Sequence, residues 1–156
     1  MRESKSAGRS RQRPKSDRGP VRKKDSMRAS QDATVIVVDD NPSVLRALTR
    51  LLTAAGFKVL PFDRPSALLA NPVPATNACM LVDVNLPEMN GSELCSAMAE
   101  SGRALPAVLI TGRDDSATLR LIAEANAVEA LFKPVDERAL LDAITRALTH
   151  SGTQSG

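Results

Sequence analysis

From residue 33 the chain alternates between short apolar runs and longer stretches where apolar residues recur every three or four positions. The short runs are Thr34–Val38, Phe57–Leu60, Ala78–Val82, Ala107–Ile110 and Val128–Phe132. Runs rich in β-branched residues, without polar alternation, predict strands buried on both faces. The first helix is marked by Asn41 as its cap and Pro42 at its first position. Leu45, Leu48, Leu51 and Leu52 follow at helical spacing, and Gly56 ends it. Further helices are predicted near Pro65–Ala70, over Ser92–Glu100 with a stop at Gly102, over Ser116–Ala125, and over Asp136–Leu148, ending near Ser151-Gly152.

Five strands alternating with five helices predict an α/β domain over residues 33–150, a parallel sheet covered on both faces. In such sheets the functional residues lie beyond the carboxyl ends of the strands. Asp39 and Asp40 end the first strand, Asp83 the third, Thr111 the fourth, and Lys133 with Pro134 the fifth. An acidic residue after a strand is ordinarily a loop or cap residue. All five positions together on one edge are hard to explain that way.

Charge divides the chain in two. Residues 1–32 hold 11 Lys/Arg against 4 Asp/Glu, a net +7, and residues 33–156 hold 10 against 14, a net −4, giving the overall +3. The first segment is rich in Arg, Lys, Ser, Gly and Pro and is expected to be a disordered basic tail. Residues 151–156 are expected to be a flexible end. Met27 is a candidate start codon, which would leave residues 1–26 untranslated. No run of about 18 apolar residues exists, so no transmembrane helix is expected, and no secretory signal either. Cys79 and Cys95 make neither a disulfide framework nor a zinc site, and reduced thiols in a cytoplasmic protein are expected. With no Trp or Tyr and three Phe, no stacking platform for nucleic acid is expected.

Three crowded carboxylates repel, and ionising all of them needs cations nearby. Lys133 supplies one charge. An all-oxygen, carboxylate-rich set without His or Cys suits Mg²⁺ for the remainder. A carboxylate can act as nucleophile toward phosphorus and form an aspartyl phosphate. Phosphoryl transfer needs positioning and charge neutralisation above all. Mg²⁺ and Lys133 would meet two phosphoryl oxygens, and the Thr111 hydroxyl the third.

These residues resemble the receiver domain of two-component response regulators. The motifs are Val38-Asp39-Asp40-Asn41, Leu81-Val82-Asp83-Val84-Asn85-Leu86-Pro87-Glu88-Met89-Asn90-Gly91, Ile110-Thr111-Gly112 and Phe132-Lys133-Pro134. Leu51-Leu52 with Gly56-Phe57 and Val59 is similar in texture to receivers of the FixJ type. The resemblance implies a flavodoxin-like doubly wound sheet of order 2-1-3-4-5. It implies Asp83 as phosphoacceptor, taking its phosphoryl group from a histidine kinase or histidine phosphotransfer protein. Asp40, Asp83 and the Asn85 backbone carbonyl would bind Mg²⁺, with Asp39 acting through water. Thr111 would be the switch hydroxyl and Lys133 the phosphoryl partner, beside a cis Lys133-Pro134 bond. The family's usual aromatic, three residues before the lysine, is Ala130 here, so a readout different from the usual one is expected. Phe132 is expected to be a core residue.

No output domain is apparent, so a stand-alone receiver is expected, signalling through a protein partner or serving as a phosphate sink or relay intermediate. A phosphorylation-dependent dimer is a further expectation. The domain is expected not to be an enzyme beyond its own phosphorylation and dephosphorylation. An aspartate-nucleophile phosphatase would carry Asp-x-Asp after the first strand, whereas Asp83-Val84-Asn85 follows the third. Nucleic-acid binding through the basic tail is the weaker rival. His150 is expected to complement a helix end, and Met80, Met89 and Met98 to pack. Glu88 is expected to be solvated, and Arg113 to lie over the site entrance, where it guides or slows the attacking water.

Overall fold

The computed structural model describes residues 32–154, with side chains described through residue 150. Most of the expected basic tail, Met27 and the final two residues lie outside the described residues. Five strands, β1 (Thr34–Val38), β2 (Lys58–Phe62), β3 (Ala78–Asp83), β4 (Ala107–Thr111) and β5 (Glu129–Phe132), form one sheet. Five helices follow them in alternation among the described residues: α1 (Pro42–Ala54), α2 (Pro65–Leu69), α3 (Gly91–Glu100), α4 (Ser116–Ala125) and α5 (Glu137–Gln154). The strand order is β2-β1-β3-β4-β5 and every pairing is parallel, as expected.

The strand period of two sorts the apolar residues onto two faces. Val35, Val37, Cys79, Leu81, Val108 and Ile110 meet Leu48 and Leu52 of α1 and Leu140, Ala143 and Ile144 of α5. Ile36, Val38, Met80, Val82 and Leu109 meet Leu68 of α2 and Leu94 and Met98 of α3, with Leu121 and Ile122 of α4 packed against them. Each such side chain contributes about 1.5–3 kcal/mol on leaving water. That double burial is why β1, β3 and β4 read as unbroken apolar runs.

The edge strands differ. β2 exposes Lys58 and Pro61, and Pro61, with no N–H to donate, suits an edge. β5 is only half-buried, and Phe132 at its end is 45% exposed, so the expectation of a core Phe132 is wrong. A period of two puts Phe132 on the same side as Ala130, which packs toward the α3–α4 layer. Phe132 sits at the strand's carboxyl end and stays exposed there. The last helix also runs on to Gln154, past the expected end at Ser151-Gly152. A single glycine weakens a helix by about 1 kcal/mol and need not end it. Burial pushes the Cys79 thiol up to about 12 and Cys95 up to about 11, so both are packing groups. No described helix is long and apolar enough to cross a membrane.

Candidate functional site

The register that pairs Val38 with Val82 brings the ends of β1 and β3 level, so Asp39 and Asp83 emerge side by side. Both are buried, whereas Asp40 is exposed. Each buried carboxylate uses its two oxygens differently. Oδ1 of Asp39 accepts the Asn41 N–H at 2.9 Å, and Oδ1 of Asp83 accepts the Asn85 N–H at 2.9 Å. These local bonds fix both side chains in turn geometry. Oδ2 of each faces Lys133, whose Nζ lies 3.3 Å from Asp39 and 3.2 Å from Asp83.

Lys133 reaches them from the last strand. Its N–H donates to the Thr111 carbonyl at 2.8 Å, which continues the β4–β5 ladder, and the Lys133-Pro134 bond is cis, as expected. Thr111 is fully buried, and its Oγ1 accepts from Asn85 Nδ2 at 3.2 Å and from the Arg113 N–H at 3.1 Å.

The loop after β3 is fastened at several points. Asn90 and Glu93 form a capping box at the start of α3. The Gly91 N–H donates to the Val84 carbonyl at 2.8 Å. A Cβ at Gly91 would sit 3.0 Å from the Asp83 carbonyl oxygen and 3.2 Å from the Val84 Cα, so only glycine lets α3 begin this close to the site. Glu88 is not merely solvated. It accepts from the Ser66 N–H at 2.7 Å and the Ser66 hydroxyl at 2.9 Å, tying the loop to α2. A carboxylate there satisfies a free amide of the first turn. Sequence reading misses it because the partners lie 22 residues apart and neither belongs to a local capping pattern.

Electrostatics decide what the cluster can hold. Burial pushes the Asp83 carboxyl above its ordinary value, and neighbouring Asp39 adds to this, against the Asn85 hydrogen bond and the Lys133 charge. Burial also works against the Lys133 ammonium, but Asp83 and Asp39 outweigh it and hold its pKa up. One ammonium, in contact with Asp39 and Asp83, thus serves a set of three carboxylates, each with an oxygen within 4.8 Å of an oxygen of the others. That oxygen set, partly buried and short of positive charge, fits a small hard cation such as Mg²⁺. The sequence-predicted Asp39, Asp40, Asp83, Asn85, Thr111 and Lys133 are therefore gathered at one sheet edge. The Arg113 amide meets Thr111, and its guanidinium pairs with Asp115.

Residues 35–145 match the model of the response regulator receiver domain. The chain belongs to that family. The receiver domain is 33% identical over 118 residues to the response regulator protein TmoT of Ectopseudomonas mendocina, covering 76% of this chain and 54% of that one. It is 32% identical over 119 residues to the transcriptional regulatory protein FixJ of Rhizobium meliloti, covering 76% of this chain and 58% of FixJ. The chain thus spans about half the length of these curated relatives. Among solved structures, FixJ-N superposes with a TM-score of 0.70 at 32% identity, covering 76% of this chain and 95% of that one. The response regulator StyR gives 0.71 at 39% identity, covering 79% of this chain and 62% of StyR. The FixJ-like texture of the receiver's sequence agrees with these relatives.

Proposed function

We propose that this receiver domain accepts a phosphoryl group on Asp83 from a histidine kinase or a histidine phosphotransfer protein, in a Mg²⁺-dependent reaction in the cytoplasm. The observation that carries the reading is Lys133 Nζ bridging the inner oxygens of Asp39 and Asp83, with Asp40 completing the carboxylate trio. An Asp83 oxygen attacks phosphorus and forms an O–P bond as the P–N bond to the donor imidazole breaks. The electron pair stays on the ring nitrogen. A carboxylate needs no general base for this attack.

Asp40, Asp83 and the Asn85 carbonyl would hold the ion, with Asp39 acting through water. Mg²⁺, when bound, neutralises charge on the phosphoryl oxygens. Lys133 orients the Asp83 carboxylate beforehand and pairs with a phosphoryl oxygen afterwards. The buried Thr111 hydroxyl exchanges its present partners for another phosphoryl oxygen. The new group carries about 1.5–2 negative charges where the free carboxylate carried one, which biases the surrounding loops and the surface a partner reads. The outcome is signalling through a protein partner, dimerisation included, or service as a phosphate sink, and no separate enzymatic activity. Incubation with phosphorylated histidine kinases tests the reading. Label should pass to the wild-type chain and not to Asp83→Asn, and equal transfer to both would refute it.

A further inference from the structure

Arg113 touches two parts of the domain at once. Its N–H donates to Thr111 Oγ1 at 3.1 Å. Its guanidinium meets Asp115 Oδ2 through Nε at 3.0 Å and Nη2 at 2.9 Å. Asp115 is the cap of α4, where its Oδ1 accepts the Thr118 N–H at 2.8 Å. One residue therefore joins the switch hydroxyl to the helix start, through its backbone on one side and its side chain on the other. The pair is exposed on both sides, 64% for Arg113 and 43% for Asp115. Exposed ion pairs hold weakly and yield to a stronger competing anion.

A phosphoryl group on Asp83 is such an anion. It is multiply charged, and the planar guanidinium fork matches its oxygens. Arg113 is already anchored on Thr111, whose strand pairs with that of Asp83 at Asp83 and Ile110, and the Thr111 hydroxyl is the group that turns toward the phosphoryl oxygens in the proposed function. This step rests on Asp83 as the acceptor. We propose that Arg113 is a switching ligand, held by the α4 cap residue Asp115 in the unphosphorylated domain and taken over by the phosphoryl group on Asp83. On transfer, Asp115 keeps its bond to Thr118 but loses its tie to the β4–α4 loop. The start of α4 is released from the site. This route needs no aromatic side chain on β5, and here that position is Ala130. Because the two anions compete for one guanidinium, weakening either hold strengthens the other.

The test is a titration with beryllofluoride, a stable mimic of the phosphoryl group, in the presence of Mg²⁺. It uses the full chain and its Asp115→Asn, Arg113→Ala and doubly substituted variants. Asparagine still caps α4 through its side-chain oxygen, so the helix is kept while the ion pair is lost. Asp115→Asn should tighten binding about fivefold. Arg113→Ala should weaken it, and Asp115→Asn should change nothing further in the Arg113→Ala background. Hydrogen exchange in the β4–α4 loop up to Asp115 should quicken on saturation in the wild type and not in Arg113→Ala. Equal tightening in both backgrounds, or none in either, overturns the proposal. Failure of the wild type to bind beryllofluoride, or equal binding by Asp83→Asn, would instead overturn the acceptor role on which it rests.

Discussion

The two sides of the sheet's carboxyl edge are built to opposite standards. Over β1 and β3 the carboxylates of Asp39 and Asp83 are buried, and both their oxygens are engaged. Their strands are central, and every strand residue beneath them is buried. Over β5 and α4 the side chains thin out. Position 130 carries only an alanine, and Phe132 and Leu119 stand 45% and 47% exposed. Chemistry that depends on fixed distances rests on the part hardest to deform. In the proposed function, the readout would rest on the edge strand and the helix beside it, where fewer buried side chains oppose opening.

Breaking the rigid side should have the largest effect. Asp83→Asn should abolish phosphoryl transfer outright, measured as label from a phosphorylated kinase. Mg²⁺ comes next: at a hundredfold excess over its dissociation constant it should stabilise the domain by about 2.7 kcal/mol in thermal unfolding, reversed by chelation. An unchanged Tm would mean that the trio is not a metal site. Gly91→Ala should cost about 1–3 kcal/mol in denaturant unfolding, because its Cβ would meet backbone atoms that cannot retreat.

A smaller effect follows from Asp83's raised pKa. The folded state binds that proton more tightly than the unfolded chain does. Without metal, stability should therefore fall as pH rises from the ordinary carboxylate value through Asp83's raised one, and stay lower above it. Asp83→Asn should remove this slope and raise metal-free stability at neutral pH by about 1 kcal/mol. The smallest effect belongs to the exposed side. Phe132→Ala should shift stability by less than about 0.5 kcal/mol while changing partner binding, and a large loss of stability would show that the edge is not the loose part described here.

The sheet was legible because its central strands are apolar on both faces, and its site because parallel strands bring Asp39, Asp83, Thr111 and Lys133 to one edge. Ser116–Ala125 and Thr34–Val38 agree with the structure to the residue. Phe132 misled because a large apolar side chain is expected inside, and nothing local in the sequence shows that β5 lies at the sheet's edge. Glu88 misled for a related reason. Its partner, Ser66, is set by how loops fold over the sheet, and a charge met in a loop carries no mark of whether it is paired.

The central claim is that Asp83 is the phosphoryl acceptor and needs the metal held beside it. Peptide mass spectrometry after transfer from a phosphorylated histidine kinase, with Mg²⁺ and with chelator, tests both parts together. The account predicts an acid-labile phosphoryl group on the peptide bearing Asp83, present with Mg²⁺ and lost with chelator. A phosphoryl group on any other residue, or equal modification without the metal, would contradict it.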